Sequence, residues 1–164
     1  AVDPTLERPL SERFLDAAHW FGEAVREESP AAKVIKYVTA LERMFMTDEK
    51  DNIANTVARR VATFSSFPCL VGDFTRLETE TRRAYDLRSK LAHGSMSPRD
   101  PAVYEGVRLG AEMGRNAILA CLSNLRPEGL RDERATKKRV AEWFNSSVEH
   151  AEQLRARMDA QVAQ

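Results

Sequence analysis

Little in this chain supports the chemistries that short motifs usually announce. It has two cysteines in 164 residues, Cys69 and Cys121. Both lie in apolar surroundings and not at metal-ligand spacing, which excludes a disulfide framework and a cysteine-based zinc site; two reduced, buried thiols are expected. Histidine is equally sparse. His19, His93 and His150 are scattered, and a structural zinc or a Ser-His-Asp site is hard to build from them. There is no glycine-rich phosphate loop, no GxSxG and no HExxH. Charge of either sign is not in excess, with 25 Lys and Arg against 25 Asp and Glu, so no global basic field holds a polyanion and any nucleic-acid contact must be local. No run approaches the roughly 20 apolar residues that span a bilayer. The opening AVDPTLERPL lacks a basic-then-apolar signal region. A soluble cytoplasmic protein without membrane partners is expected, and the start without methionine points to a trimmed protein or a piece of a longer one.

What is present is helical periodicity nearly everywhere. Ser11 is placed to cap SERFLDAAHWFGEAVREES, where Phe14, Ala17, Ala18, Phe21 and Val25 recur at helical spacing. Pro30 ends that helix and opens AAKVIKYVTALERMFMT, with Val34, Ile35, Val38, Leu41, Met44 and Phe45 as its apolar stripe. The connector TDEKDN leads to NIANTVARRVATFSSF, striped by Ile53, Val57, Val61 and Phe64 and ended by Pro68. A fourth helix is expected from about Asp73 to Ala92, closed by Gly94, Ser95, Ser97 and Pro98. A fifth starts near Pro101 and runs to about Leu125. No segment alternates apolar and polar residues between hairpin turns, and no repeat or low-complexity tract occurs. The expected fold is all-α: an antiparallel bundle of about five helices over residues 1–130. An extra C-terminal amphipathic helix follows over 131–164, starting near Asp132.

That last helix carries the stripe Val140, Trp143, Phe144, Val148, Ala151, Leu154, Met158 and Val162 among many charges. It is read as a solvated helix packing one face on the bundle or on a second copy. A basic RNA-facing surface built from Arg134, Lys137, Lys138 and Arg139 is the weaker reading, because Asp132, Glu133 and Glu142 lie among them. Arg59 and Arg60 are likewise read first as a solvated face and second as phosphate ligands. His19, beside Trp20, is read as packed or half-exposed, and His150 as solvated.

One stretch stands apart: YDLRSKLAHG, Tyr85 to Gly94. Arg88 and His93 lie five residues apart, roughly 140° around an ideal helix. They share a site only if the helix unwinds near His93, or if two helix ends meet across a symmetric dimer. On spacing alone a helix ending in histidine and a glycine cap accounts for the pair.

The segment resembles the signature of the HEPN superfamily, an arginine, a polar residue, a short spacer and a histidine near a helix end. The flanking words YVTALERMFM (Tyr37 to Met46), NIANTVARRVATF (Asn52 to Phe64) and RSKLAHG (Arg88 to Gly94) are similar to those of ApeA-like HEPN domains. The similarity covers roughly residues 30–125. It implies a helical bundle that forms a homodimer and cuts RNA without a metal or other cofactor, in prokaryotic defence or stress response. Arg88 and His93 match the catalytic pair and Ser89 the polar position. Glu42 matches an acidic residue of the second helix, placed to orient Arg88, although a surface ion pair is an equal reading. Tyr85, three residues before Arg88, faces the same side of the helix and is read first as a core or interface residue. Asp86 and Lys90 are expected to be solvated. Where some HEPN toxins carry a modifiable tyrosine, this chain has Ser95, so regulation by that modification is not implied. A different regulatory partner, or further domains in a longer protein, remains compatible.

The chemistry suits those residue types. RNA carries its own nucleophile, the 2′-hydroxyl; a histidine can take that proton or protonate the leaving 5′-oxygen, and an arginine can hold the phosphate. Two other readings stay open: a non-catalytic HEPN module for RNA or nucleotide binding or for dimerisation, and an unrelated helical scaffold in which RSKLAHG is a capped helix end.

Overall fold

A computed structural model describes residues 10–47, 52–66, 73–124 and 137–162. Six helices account for nearly all of them, and no strand occurs among the described residues: α1 (Leu10–Arg26), α2 (Pro30–Phe45), α3 (Ile53–Ser66), α4 (Asp73–Ala92), α5 (Ala102–Asn124) and α6 (Lys137–Val162). Cys69, Pro68, Arg134 and the expected domain boundary at 130 lie outside the described residues, as do Asp132 to Thr136 and the side chain of Cys121. No described helix is long and apolar enough to cross a membrane.

The first helix pair shows how local signals set the fold. Pro30 occupies the first turn of α2, where its missing N–H costs nothing, and the Ser29 side chain accepts from the Ala32 amide at 3.4 Å. Just before it, the Glu27 carboxylate accepts from the Glu28 and Ser29 amides and binds Lys36 Nζ at 2.7 Å. This ties the hinge to the second turn of α2, and α1 folds back along α2. The Lys36 ammonium and the Ser29 amide hold the Glu27 carboxyl down at about 2, from an ordinary 4.5.

α2 and α5 are the central helices, each packing on α1, α3 and α4 as well as on one another. The α2 stripe is buried at Val34, Val38, Leu41, Met44 and Phe45. Each such side chain contributes about 1.5–3 kcal/mol through burial. The main core joins it to Val57, Val61 and Phe64 of α3, Phe74 and Leu77 of α4, and Leu109 and Met113 of α5. A smaller cluster of Ala31, Val34, Leu87 and Val103, flanked by Leu91 and Met96, lies beneath the C-terminal end of α4. α5 reaches α2 through Gly110: a Cβ there would sit 2.7 Å from the Tyr37 Cβ, closer than two carbons can pack.

α6 belongs to the main core. Val140 and Phe144 are fully buried in it, and Phe45, Phe64, Trp143 and Phe144 form an aromatic cluster with ring centroids 4.9–5.7 Å apart. Its stripe is buried at Val140, Phe144 and Ala151; from Ala156 to Gln161 every residue is exposed, Met158 included.

Three expectations are corrected. Ser11 lies inside the first turn of α1, which already begins at Leu10. Val25 is exposed and Ala24 is buried instead. Ala24 follows Ala17 by seven residues, nearly two full turns, whereas Val25 is rotated a further ~100° outward. Arg60 is not on a solvated face: it is 2% exposed, donates to the Phe45 carbonyl and Asn145 Oδ1, and lies over the Phe144 ring.

Two outcomes are expected. Gly110→Ala should lower stability by about 1–3 kcal/mol through overpacking against Tyr37. Gly22→Ala, whose new Cβ meets nothing nearer than 3.8 Å, should raise it by about 0.5–1 kcal/mol; urea unfolding of both variants reads the opposite signs. Because folding depresses the Glu27 pKa, its contribution is fully present above 4.5 and is lost as pH falls toward about 2. A carboxyl ¹³C titration should place Glu27 near that lower value, and Lys36→Met should move it back up.

Candidate active site

The end of α4 is set by its own backbone. Gly94 takes a φ of 71°, the left-handed conformation that glycine adopts without steric cost. The Ser95 amide donates to the Lys90 carbonyl at 2.9 Å and the Gly94 amide to the Leu91 carbonyl at 3.2 Å, the paired bonds of a Schellman motif. The helix therefore stays regular up to its cap: the His93 amide still donates to the Ser89 carbonyl at 3.0 Å. His93 is the capping residue, and its ring is exposed beside the negative end of the helix dipole.

Arg88 sits more than a turn earlier, half-buried, with 29% of its side chain exposed. Its guanidinium lies 3.6 Å from Glu42 Oε2 of α2 and 5.9 Å from the centre of the Tyr85 ring. The Tyr85 hydroxyl donates to the other carboxylate oxygen, Glu42 Oε1. Burial, then the Glu42 carboxylate, pushes the Tyr85 hydroxyl pKa far above its ordinary value, partly opposed by Arg88. Tyr85 therefore remains a donor at any working pH. Arg88 Nε is buried and has no hydrogen-bond partner among the described residues. An unmade buried hydrogen bond of this kind costs about 1–3 kcal/mol.

The structure thus brings Glu42, Tyr85 and Arg88 together from two helices and leaves His93 apart. No hydrogen bond or ion pair joins His93 to Arg88 within one chain. Ser89 is half-buried, and its carbonyl serves the helix end. Asp86 and Lys90 are exposed and pair with each other at 2.6 Å. The ion pair of Glu42 is with Arg88, not with a surface lysine. Sequence reasoning missed the Tyr85–Glu42 hydrogen bond, which links residues 43 positions apart. A hydroxyl on the buried side of α4, facing a carboxylate on the edge of the α2 stripe, was its one available signal.

Arg59 and Arg60 lie elsewhere, along a cleft of about 330 Å³ between α3 and α6 that Asn145, Glu149 and Glu152 also line. Arg59 is ion-paired with Glu152, so both arginines are committed to holding α6. His19 is exposed, edge-on to Trp20 at 6.3 Å, and His150 is exposed on α6. Among the described residues no three His, Cys, Asp or Glu side chains gather as metal ligands. No family model, curated protein or solved structure was found to match this chain.

The helix cap can be tested by itself. A Cβ at Gly94 meets open space, so Gly94→Ala should cost about 1–2 kcal/mol from the positive φ alone. Faster amide exchange should be confined to the last turn of α4.

Proposed function

We propose that this chain is a HEPN-type RNA endonuclease domain that acts as a homodimer, in prokaryotic defence or stress response. The observation that supports the reading best is the Arg88 arrangement. A half-exposed arginine is held by Glu42 and Tyr85 just before an exposed histidine at a helix end. Those residues fall on the motif through which the sequence resembles the family.

In the proposed reaction the 2′-oxygen attacks the adjacent phosphorus, a 2′-O–P bond forms and the P–O5′ bond breaks. One His93 accepts the 2′-hydroxyl proton, and the His93 of a second copy gives a proton to the departing 5′-oxygen. Arg88 binds the non-bridging oxygens and offsets the charge that builds on them. The products are a 2′,3′-cyclic phosphate and a 5′-hydroxyl. RNA supplies the nucleophile and histidine moves the protons, so the scheme calls on no metal.

A second reading, a non-catalytic HEPN module for RNA or nucleotide binding or for dimerisation, draws on the same ion pair. An arginine held by a carboxylate also serves as a link between α2 and α4. Cleavage in EDTA decides between them. The parent should cut single-stranded RNA and leave cyclic phosphate ends, and Arg88→Ala and His93→Ala should each lose at least ~10²-fold in rate with fold and dimer mass unchanged. A well-folded dimer that cuts none of several RNAs would transfer support to the second reading.

A further inference from the structure

We propose that Tyr85 is a positioning residue: its hydroxyl holds Glu42 so that the carboxylate steadies Arg88 without closing on it, leaving the guanidinium open to a phosphate. The proposal rests on reading Arg88 as the phosphate ligand of the site.

An arginine and a carboxylate left to themselves form two parallel hydrogen bonds with N···O near 2.7–2.9 Å. That fork is not made here. Oε2 of Glu42 stands 3.6 Å from the Arg88 guanidinium, an ion-pair distance beyond hydrogen-bond length. Oε1, which would make the second prong, accepts the Tyr85 hydroxyl instead. Apart from this, the arginine's Nε is buried and has no acceptor among the described residues, so a phosphate would meet the exposed part of the side chain. Tyr85 itself has little room to move: it is 9% exposed and part of the main core. Its ring also lies under the guanidinium at 5.9 Å, where a cation on an aromatic face is favoured. One side chain therefore supports Arg88 from below and tethers the oxygen that would otherwise swing round to complete the fork.

Removing the hydroxyl frees Oε1 to complete the fork. Arg88 would then be satisfied by Glu42 and would bind phosphate less well, although no group that touches the phosphate had changed. Glu42→Gln gives the opposite case. Its amide oxygen still accepts from Tyr85, but it carries no charge to lock the arginine.

The test follows the Arg88 Nε–Hε resonance of the full chain, ¹⁵N-labelled in arginine, during titration with inorganic phosphate. In Tyr85→Phe the phosphate Kd should rise by about tenfold or more, the worth of one charge-assisted hydrogen bond, with the melting temperature within a few degrees of the parent. In the Glu42→Gln background, whatever its own Kd, adding Tyr85→Phe should change nothing further. Parent-like affinity in Tyr85→Phe overturns the proposal. So does an equal loss in the presence of Glu42→Gln, which would mark Tyr85 as a packing residue alone. A parent resonance that ignores phosphate overturns it too. If phosphate binding behaves as expected while RNA remains uncut, the ribonuclease reading falls and the role of Tyr85 stands.

Discussion

A helix that ends inside a protein leaves its last carbonyls without amide partners, and the rest of this bundle is arranged around how α2 meets that demand. Arg13 of α1 donates to the Met46 carbonyl and Arg60 of α3 to the Phe45 carbonyl. Both arginines are 2% exposed. Burying a guanidinium costs several kcal/mol unless its charge and its N–H groups are matched. Here the negative end of the α2 dipole supplies the opposing charge. The Phe144 ring at 4.9 Å and Asn145 Oδ1 at 2.9 Å complete the surroundings of Arg60. One helix end thereby connects α1, α3 and α6.

The site inherits its geometry from that anchor. Glu42 lies on the final turn of α2, where its carbonyl accepts the Met46 amide at 2.9 Å. Any slide of α2 that moved Glu42 would also strip the two arginines of their acceptors. On the other side, Ala84, Tyr85 and Leu87 bury the inner face of α4. The two elements that hold the Glu42–Tyr85–Arg88 group are fixed by core packing and by a buried polar cap, not by the group itself. This lets Arg88 keep an unmade hydrogen bond, because its cost is carried by the surrounding fold.

How much of this could be read from the sequence follows from the range of the interaction concerned. The start of α2 and the C-terminal end of α4 were legible because Pro30, Gly94 and the polar turn after it act within a few residues of themselves. The all-helical class was legible from periodicity. Arg60 was misread although its position carried a signal: it stands three residues after Val57 and four before Phe64, on the buried stripe. Its charge argues for solvent and its phase for the core, and the acceptor that makes the burial tolerable, the Phe45 carbonyl, is 15 residues away. Val25 failed for a different reason, since both Ala24 and Val25 suit an apolar stripe and the neighbouring helix chooses between them. The pairing of Glu42 with Arg88 was one of two readings, and the bond from Tyr85 was not foreseen, because it depends on the register of α4 against α2.

The helix end also bears on how the proposed reaction would be assembled. Unwinding near His93 is one way to bring it round to Arg88. The hydrogen bonds at Ser89, Lys90 and Leu91 oppose it, since they keep α4 regular to its cap. With the helix intact the two side chains leave the axis roughly 140° apart, and Arg88 is drawn toward α2 by Glu42. A single chain then offers an arginine on one side of α4 and a histidine at its tip. On the proposed reading, the remaining way to surround one phosphate with both is to bring a second helix end against the first, so that each chain supplies what the other turns away. On that same reading, the cap that closes α4 as a stable helix makes the proposed chemistry depend on association, because one chain alone does not bring both residues to one phosphate.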